Sequence, residues 1–543
     1  MTAKIDISPE QLAIVQGILK DHLPKGTLAW AFGSRVTWTA KPFSDLDIAL
    51  EGTAPLPSDV LIDLEEAFEA SDLPWKVDVI DLNAVSPEFR EIVERQRVPV
   101  DWEEVKLRRV ADLLARERGI SVGVMYPGSD TPNGVPLIRA GDVKNGLIDP
   151  NIQFRISESI HKEYSRTELV GGEILITLVG NPGVVAIVPP EMKGWNAARA
   201  VAVVRLEDPD DNGFFRAAMA TPSVQHTIRN VCNTTVQATL NLRDIKALEL
   251  PWPEKLVRDQ ISKIVAMFDD KIELNRRMNE TLEAMARAVF RDWFVDFGPT
   301  RRKAAGITDP AAILGGLLPD PTQAPPLAAL FPDSFGANGL PEGWEEREVG
   351  DLCPIVGGGT PSTKEPAFWD GGTHNWATPK DLSRLSGLFL RGTERQVTDA
   401  GLSKVSSGLS PVGSVLLSSR APIGYVAIAE EPVAVNQGFI VMQPTPAFPT
   451  EFAYFWTLEN LDLIKANANG STFQEISKKN FRPLRVNHSG EGLVAKFAEV
   501  AGPMMDLIRN NEQENQTLAA TRDLLLPKLM SGDLRLTGAE GVV

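Results

Sequence analysis

The chain has 543 residues and a formal net charge of −17 at pH 7, with 43% hydrophobic and 23% charged residues. This length predicts several domains, and the composition is that of folded globular proteins, which excludes a disordered or fibrous chain. The negative charge excludes a protein that binds nucleic acid through a generally basic surface, so DNA binding would require local basic surfaces or a partner.

Targeting and metal signals are missing from the sequence. Two cysteines and five histidines cannot supply a disulfide framework or a zinc-ligand spacing. The chain has no apolar run of about 18 residues, and its first residues lack the basic and apolar regions of a signal peptide. We therefore expect a cytoplasmic protein without a structural metal and without membrane contact.

Residues 1–101 predict a separate acidic domain, because residues 1–102 contain 9 Lys/Arg against 18 Asp/Glu. A predicted strand runs from Ala29 into a turn at Gly33-Ser34, and Asp45-Leu-Asp47 follows ten residues later. Asp45 and Asp47 are two apart on a predicted strand, so both should project from one face. Asp78 lies in another strand-like run. Three carboxylates on neighbouring strands suit two Mg²⁺ ions that bridge nucleotide phosphates, which the backbone N–H groups of the Gly33-Ser34 turn would hold.

This combination resembles the minimal nucleotidyltransferases of the DNA polymerase β superfamily, a group that includes antitoxins which adenylylate a partner toxin. The resemblance implies an α/β fold for residues 1–101 and Mg²⁺ and ATP as cofactors. It also implies that Asp45, Asp47 and Asp78 are metal ligands, with Asp78 helping to activate the attacking hydroxyl. Trp38 stands where these proteins have a small residue. Two alternatives remain open, an active enzyme and a retained fold that serves as a docking module.

The rest of the chain is an internal repeat, with residues 102–299 and 344–537 as its two copies. Each copy opens with Trp-Glu-Glu and contains a strand, a Pro/Gly turn and a second strand, followed by an Asn-rich helical segment. The matching segments are Trp102–Glu104 with Trp344–Glu346, Gly172–Ile187 with Gly413–Ile428, and Asn275–Leu282 with Asn511–Leu518.

Each copy divides into a β-rich part and a helical part. Short β-branched runs between Gly/Pro turns predict β-rich domains over residues 102–254 and 342–488. Residues 255–299 and 489–537 carry apolar residues at alternating steps of four and three, which predicts two coiled-coil helices. The predicted seam residues are Ile261, Val265, Phe268, Ile272, Asn275, Asn279, Leu282, Ala286, Val289 and Trp293, and Phe497, Ala501, Met504, Ile508, Asn511, Asn515, Leu518, Arg522, Leu525 and Leu529.

Four asparagines lie at seam positions of these helices: Asn275, Asn279, Asn511 and Asn515. A polar seam residue costs stability and fixes register, so we expect the helices to pair antiparallel with their asparagines meeting. About 40 residues would form a rod of roughly 60 Å with the β-rich domains at its ends. The alternative is that each helix packs on its own domain. Residues 300–341 are rich in Pro, Ala and Gly and predict an extended linker.

The order of β-rich domain, helix, β-rich domain and helix, with the helix sequences of residues 279–288 and 514–532, resembles the specificity subunit of type I restriction-modification systems. The resemblance implies two target recognition domains, each reading half of a split duplex DNA site. It implies that the helices act as a ruler and dock two methyltransferase subunits, alongside restriction/translocase subunits. No cofactor is expected for this part of the chain. The overall prediction is an α+β multidomain protein.

Five basic residues lie in or beside the repeated turns and are candidate DNA contacts: Arg139, Lys144, Lys380, Arg384 and Arg420. As a set they suit contacts with phosphates or guanine edges. The alternative for each one alone is a solvated surface charge.

No methyltransferase, phosphate-loop or hydrolase-elbow motif occurs, and Gly357–Ser362 lacks the lysine of a phosphate loop. The leading hypothesis is therefore a non-catalytic specificity subunit fused to a nucleotidyltransferase-like domain. One alternative is an adenylyltransferase whose C-terminal region targets it to DNA. Another is a protein scaffold that binds no DNA.

Overall fold

The computed structural model describes residues 5–24, 27–37, 39–41, 43–52, 54–100, 107–117, 119–144, 146–232, 238–318, 320–469, 474–530 and 534. Trp38 and the first Trp-Glu-Glu motif lie outside these ranges. The chain divides into two compact units, residues 1–267 with 521–543, and residues 268–520. No helix within the described ranges is both long and apolar enough to cross a membrane.

The N-terminal part of the first unit is a mixed four-stranded sheet with three helices. The central strands Leu28–Phe32 and Leu46–Glu51 are antiparallel, and Val77–Asp81 runs parallel to the second of them. Val98–Pro99 completes the other edge. The helices are Pro9–His22, Ser58–Glu69 and Pro87–Gln96. Its buried apolar side chains form clusters made only of residues from this domain, which therefore has its own core.

The first β-rich domain belongs to the same unit. Its main sheet is antiparallel in the order Val185–Ile187, Ile174–Thr177, Val201–Val204, Ile120–Val122. A smaller sheet has the order Arg155–Ile156, Val135–Ile138, Asn196–Ala197, of which the last pair is parallel. The remaining strands are Leu107–Arg109, Val143–Lys144, Leu147–Ile148 and Glu249–Pro251, and the α-helices are Glu158–Glu163, Asn212–Ala220, Pro222–Val231 and Leu242–Ala247.

The second β-rich domain, in the second unit, repeats this topology. Its main sheet has the order Ile355–Val356, Phe439–Met442, Val415–Ser418, Val426–Ala429 and adds Phe389–Leu390 at the far edge. Its smaller sheet has the order Arg395–Val397, His374–Ala377, Val433–Val435, again with a parallel last pair. The remaining strands are Glu345–Glu348 and Arg485–His488, and the α-helices are Val349–Leu352, Pro379–Arg384, Asp399–Leu402, Thr450–Glu459, Leu461–Ala466 and Lys478–Phe481.

Two long helices carry the predicted seams, the first over Lys255–Phe290 and the second over Glu491–Met530. A short π-helical turn, Arg291–Val295, follows the first. Within the first unit, Ile261 and Val265 lie in one buried cluster with Leu526 and Leu529. Of these four residues, Ile261, Val265 and Leu529 are predicted seam positions and Leu526 is not, so the coiled-coil pairing of the two helices stays a prediction.

The prediction of an extended linker over residues 300–341 is wrong. Short helices form at Gly298–Ala304, Pro310–Ile313 and Ala324–Ala328. Ile313, Leu314, Leu327 and Phe331 are buried in the main hydrophobic cluster of the second unit. Proline is tolerated at the first turn of a helix, and each of these helices has proline there, so a Pro-rich composition did not exclude short helices.

Candidate functional site

The Gly33 turn of the N-terminal domain lies directly against the carboxylate of Asp47. Asp47 pairs in register with Phe32, the last residue of the neighbouring strand. Gly33 follows with a φ of +76°, and a Cβ built on it would lie 2.3 Å from Asp47 Oδ2. The positive φ favours glycine at this position, and a side chain there would also have to displace the Asp47 carboxylate.

Asp47 also faces a second carboxylate. It pairs in register with Asp78 on the parallel strand, whereas Asp45 immediately precedes the strand Leu46–Glu51 and is not part of it. Burial, followed by the negative charges of Asp78 and Asp45, raises the pKa of Asp47 above its ordinary value. Like charges held together in this way are relieved by a bound cation.

The three predicted ligands are not assembled into a closed metal site. No group of three His, Cys, Asp or Glu side chains among the described residues is close enough to hold a metal ion. Asp78 instead forms an ion pair with Lys76, with Nζ 2.6 Å from Oδ1, and this contact raises the pKa of Lys76. The oxygen donors suit Mg²⁺ chemically, but the nearest cation to Asp78 is a lysine side chain.

Sequence reasoning missed a buried arginine beside this site. The guanidinium of Arg35 donates to the carbonyl oxygens of Asp6 at 2.8 Å and Ser44 at 3.0 Å, and stacks 4.5 Å from the centre of the Trp75 ring. Arg35 thus fixes the loop that runs from the Gly33-Ser34 turn to Asp45. In the sequence, the signal for a role of Arg35 was its position directly after the Gly33-Ser34 turn.

The first β-rich domain contains a large groove of about 1210 Å³. Three basic side chains line it, and no Asp or Glu is among its lining residues. Two of the cations, Arg139 and Lys144, were predicted from sequence, and the third, Arg199, was not. Tyr126 and Asn181 also line the groove, and Tyr126 is 76% exposed. A cationic groove without carboxylates is an electrostatically suitable surface for a polyanion.

The basic residues of this groove differ in how they are held. Arg139 Nε lies 3.6 Å from Asp142 Oδ2, and its guanidinium lies 5.8 Å from the centre of the Phe154 ring. Within the described residues, Lys144 and Arg199 have no side-chain hydrogen bond or ion pair. Their charges are therefore available to a ligand.

In the second β-rich domain the predicted basic residues are paired with glutamates. Lys380 Nζ and Arg384 Nη1 lie 2.9 and 2.8 Å from the same oxygen of Glu394. The hydrogen bond from Lys380 lowers the pKa of Glu394. Arg420 lies 3.6 Å from Glu475. Exposed pairs of this kind are weak, so these cations can exchange a glutamate for another anion.

The structure brings the four seam asparagines together in the second unit. Asn275 Nδ2 donates to Asn515 Oδ1 at 3.0 Å and to Glu514 at 2.7 Å. Asn511 Nδ2 donates to Asn279 Oδ1 at 2.8 Å. In the repeat, Asn275 corresponds to Asn511 and Asn279 to Asn515. Exchanging the two copies therefore turns the contact from Asn275 to Asn515 into the contact from Asn511 to Asn279, which is the relation that a two-fold axis produces.

Comparison with known families assigns both parts of the chain. Residues 99–284 and 341–487, more than half of the chain, match the family described as type I restriction modification DNA specificity domain. Residues 15–100 match the family described as polymerase beta, nucleotidyltransferase.

Individual relatives agree with this division. The chain is 35% identical over 181 residues to the MjaIX specificity subunit of Methanocaldococcus jannaschii, covering 33% of this chain and 42% of the relative. It is 26% identical over 326 residues to the HindI specificity subunit of Haemophilus influenzae, covering 53% and 70%. Residues of the N-terminal region are 46% identical over 102 residues to the probable protein adenylyltransferase MntA of the same species, covering 19% of this chain and 89% of the relative. The chain thus spans less than half the length of the first of these relatives. It belongs to the type I restriction-modification DNA specificity family and carries an N-terminal nucleotidyltransferase domain.

Proposed function

We propose that the two β-rich domains, residues 102–254 and 342–488, each read one half of a bipartite sequence in duplex DNA. The observation that carries this proposal is the family match to both copies of the repeat, supported by the cationic groove of the first domain. The two β-rich domains have different side chains and read different half-sites, so the whole DNA site is asymmetric. Arg139 and Lys144 contact phosphates in this proposal, as do Lys380, Arg384 and Arg420 after leaving their glutamates.

Exchange of one β-rich domain tests this proposal. Replacing residues 105–250 with the same segment of a relative should change one half of the methylated sequence and leave the other half unchanged. If both halves of the methylated sequence change, or neither does, the assignment of one half-site to each β-rich domain is refuted.

The paired long helices form the docking surface for two methyltransferase subunits in this proposal. Leu274, Met278 and Met285 are exposed apolar residues of the first helix. Their spacing of four and seven places them on one face, so they form a stripe available to a partner. The two-fold relation of the asparagine contacts provides two equivalent outer faces, and the restriction/translocase subunits join through the methyltransferases. The pairing is an antiparallel coiled coil in this proposal.

Complex size tests the stoichiometry. Co-expression with the methyltransferase subunit of the same genome should yield two methyltransferase subunits for each chain. Changing Leu274 and Met278 to serine should lower the amount that co-purifies, while the full-length chain stays folded by circular dichroism. A stable complex with a single methyltransferase subunit would contradict this proposal.

The N-terminal domain is, in the same proposal, a nucleotidyltransferase that uses ATP and Mg²⁺. Asp45, Asp47 and Asp78 would hold the metal, which neutralises the phosphates of the nucleotide when it is bound. The residues of the chain itself would orient the reaction: the Gly33-Ser34 N–H groups would hold the phosphates, and Asp47 lies against that turn. The raised pKa of Asp47 and its register with Asp78 support this use of the carboxylates.

An experiment with labelled ATP distinguishes the two hypotheses for this domain, an active nucleotidyltransferase and a docking module. An active domain, alone or in the complex, should transfer label to a protein hydroxyl in the presence of Mg²⁺. An absence of label with all partner subunits present would favour a docking module. If Asp47→Asn abolishes the main phenotype of the whole system and methylation is unaffected, the adenylyltransferase becomes the primary function and the repeat its targeting region.

A further inference from the structure

The first β-rich domain holds Arg199 in place through a backbone contact that requires glycine. Val124 N donates to Ala197 O at 2.7 Å, and Arg199 N donates back to Val124 O at 2.9 Å. A Cβ on Gly123 would lie 2.1 Å from Ala197 O. No other residue fits at position 123 without displacing this backbone.

The second β-rich domain repeats the first of these two bonds, whereas the Gly359 carbonyl, the counterpart of the Val124 carbonyl, accepts from Trp376 Nε1. Gly359 N donates to Val435 O at 3.1 Å. A Cβ on Gly358 would lie 1.6 Å from the same oxygen. Gly358 therefore corresponds to Gly123 and Val435 to Ala197. Arg199 lies two residues after Ala197, and Gln437 lies two residues after Val435. Gln437 therefore occupies the position of Arg199.

A second pair of equivalent positions is defined by the Pro/Gly turn. In the first domain the Thr177 hydroxyl donates to Asn181 O at 2.5 Å and accepts from Val184 N at 3.0 Å. These two bonds fix the path of the backbone through the turn.

The matching turn has the same two bonds. The Ser418 hydroxyl donates to Pro422 O at 2.8 Å and accepts from Tyr425 N at 2.9 Å. Pro422 thus occupies the position of Asn181. The same turn presents an amide side chain in one domain and a ring without hydrogen-bonding groups in the other.

Asn181 and Arg199 line the same groove in the first domain. Within the described residues, neither side chain has a hydrogen bond or ion pair, although the backbone of each is fixed. Side chains that are free on a fixed backbone are suited to making new directional hydrogen bonds. A guanidinium matches the O6 and N7 edge of guanine, and a carboxamide matches the N6 and N7 edge of adenine.

We propose that Arg199 and Asn181 read bases in the first half-site, and that Gln437 takes the place of Arg199 in reading the second. This inference rests on the proposed DNA-reading function and adds to it the residues that differ at corresponding positions of the two domains. Gln437 Oε1 accepts from Thr360 at 2.6 Å, which orients its amide. Arg199 reads guanine, whereas Gln437 reads adenine.

A reciprocal exchange tests this assignment. The full-length chain, co-expressed with the methyltransferase subunits of its genome, is incubated with a library of random-sequence DNA duplexes, and the bound duplexes are sequenced. Arg199→Gln should reduce the preference for guanine at one position of one half-site on the order of tenfold to a hundredfold. Gln437→Arg should create a guanine preference in the other half-site. Asn181→Pro should remove an adenine preference beside the Arg199 position.

Lys144→Gln is the matched control, because Lys144 is a free cation of the same groove. It should weaken binding equally for all sequences and reduce the salt dependence of binding by about one ion. If the wild-type protein enriches no sequence, the DNA-reading function itself fails. If the wild type enriches a bipartite sequence but Arg199→Gln behaves like Lys144→Gln, Arg199 is a phosphate contact and the inference is wrong.

Discussion

At the scale of single residues, Asp47 is a proposed metal ligand whose burial also lowers the stability of the folded state. Its pKa is raised by burial and by Asp78 and Asp45, so the folded state at neutral pH holds a carboxylate that it disfavours. Asp47→Asn should abolish nucleotidyl transfer, because an amide cannot supply the anionic oxygen that holds the metal. In the absence of divalent cations it should raise the melting temperature at neutral pH by roughly 1–3 °C. Thermal denaturation followed by circular dichroism measures this.

The pH dependence of that effect has a definite sign. A carboxyl whose pKa is raised on folding binds its proton more tightly in the folded state, so the wild type gains stability as pH falls toward the ordinary value near 3.8. The advantage of Asp47→Asn should therefore shrink from neutral pH to acidic pH. A constant advantage, or a destabilised variant at neutral pH, would contradict the electrostatic account of the site.

Individual residues also show where sequence reasoning stopped. Gly33, Asp47 and Asp78 could be placed together because a turn and two strands bring them into register. Arg199 and Asn181 could not be found in the same way, because nothing in their local sequence distinguishes them from surface residues. Matching Arg199 to Gln437 required the backbone contacts at Gly123 and Gly358, and matching Asn181 to Pro422 required the hydroxyl bonds of Thr177 and Ser418.

At the scale of elements, the segment over residues 300–341 is part of the core of the second unit. Phe331 is 2% exposed and packs edge-on against Trp293, with ring centres 5.2 Å apart. Phe331→Ala should lower the free energy of unfolding by about 3–5 kcal/mol, because it leaves a cavity. Leu330→Ala, at an exposed neighbouring position, should change it by less than about 0.5 kcal/mol. Equal small effects in urea denaturation would indicate a loosely attached segment.

The asparagine contacts give a second prediction for elements. Asn511 is 7% exposed and donates to Asn279, while the adjacent Asn510 is exposed. Asn511→Ala should lower the free energy of unfolding by about 1–3 kcal/mol, because it leaves the Asn279 oxygen without its donor. Asn510→Ala should have an effect below about 0.5 kcal/mol. Urea denaturation of both variants, compared with the wild type, checks the difference.

The helices and the repeat were predictable from sequence for a physical reason. A buried helical seam requires apolar residues at steps of four and three, and both copies kept that pattern and the asparagines within it. The short helices of residues 300–341 lacked such a signal. Three of them are seven residues long or shorter, so no periodicity could develop, and burial by the rest of the unit determines their structure.

At the scale of the whole molecule, the N-terminal domain should be dispensable for DNA recognition. Its core contains only its own residues, and its charge is strongly negative. A chain lacking residues 1–101, expressed with the methyltransferase subunits, should therefore methylate the same sequence as the full-length chain. Sequencing of methylated genomic DNA checks this outcome. A changed or lost methylation pattern, with the shortened chain folded, would show that the two parts depend on each other.

The account as a whole depends on one claim, that each copy of the repeat reads one half of the DNA site. Mapping of methylated bases in cells that carry the residue 105–250 exchange tests it most directly. The account predicts a new first half-site, an unchanged second half-site and an unchanged spacing between them, because the long helices are retained. Changes in both half-sites, or methylation of the original sequence by a folded chimera, would contradict it.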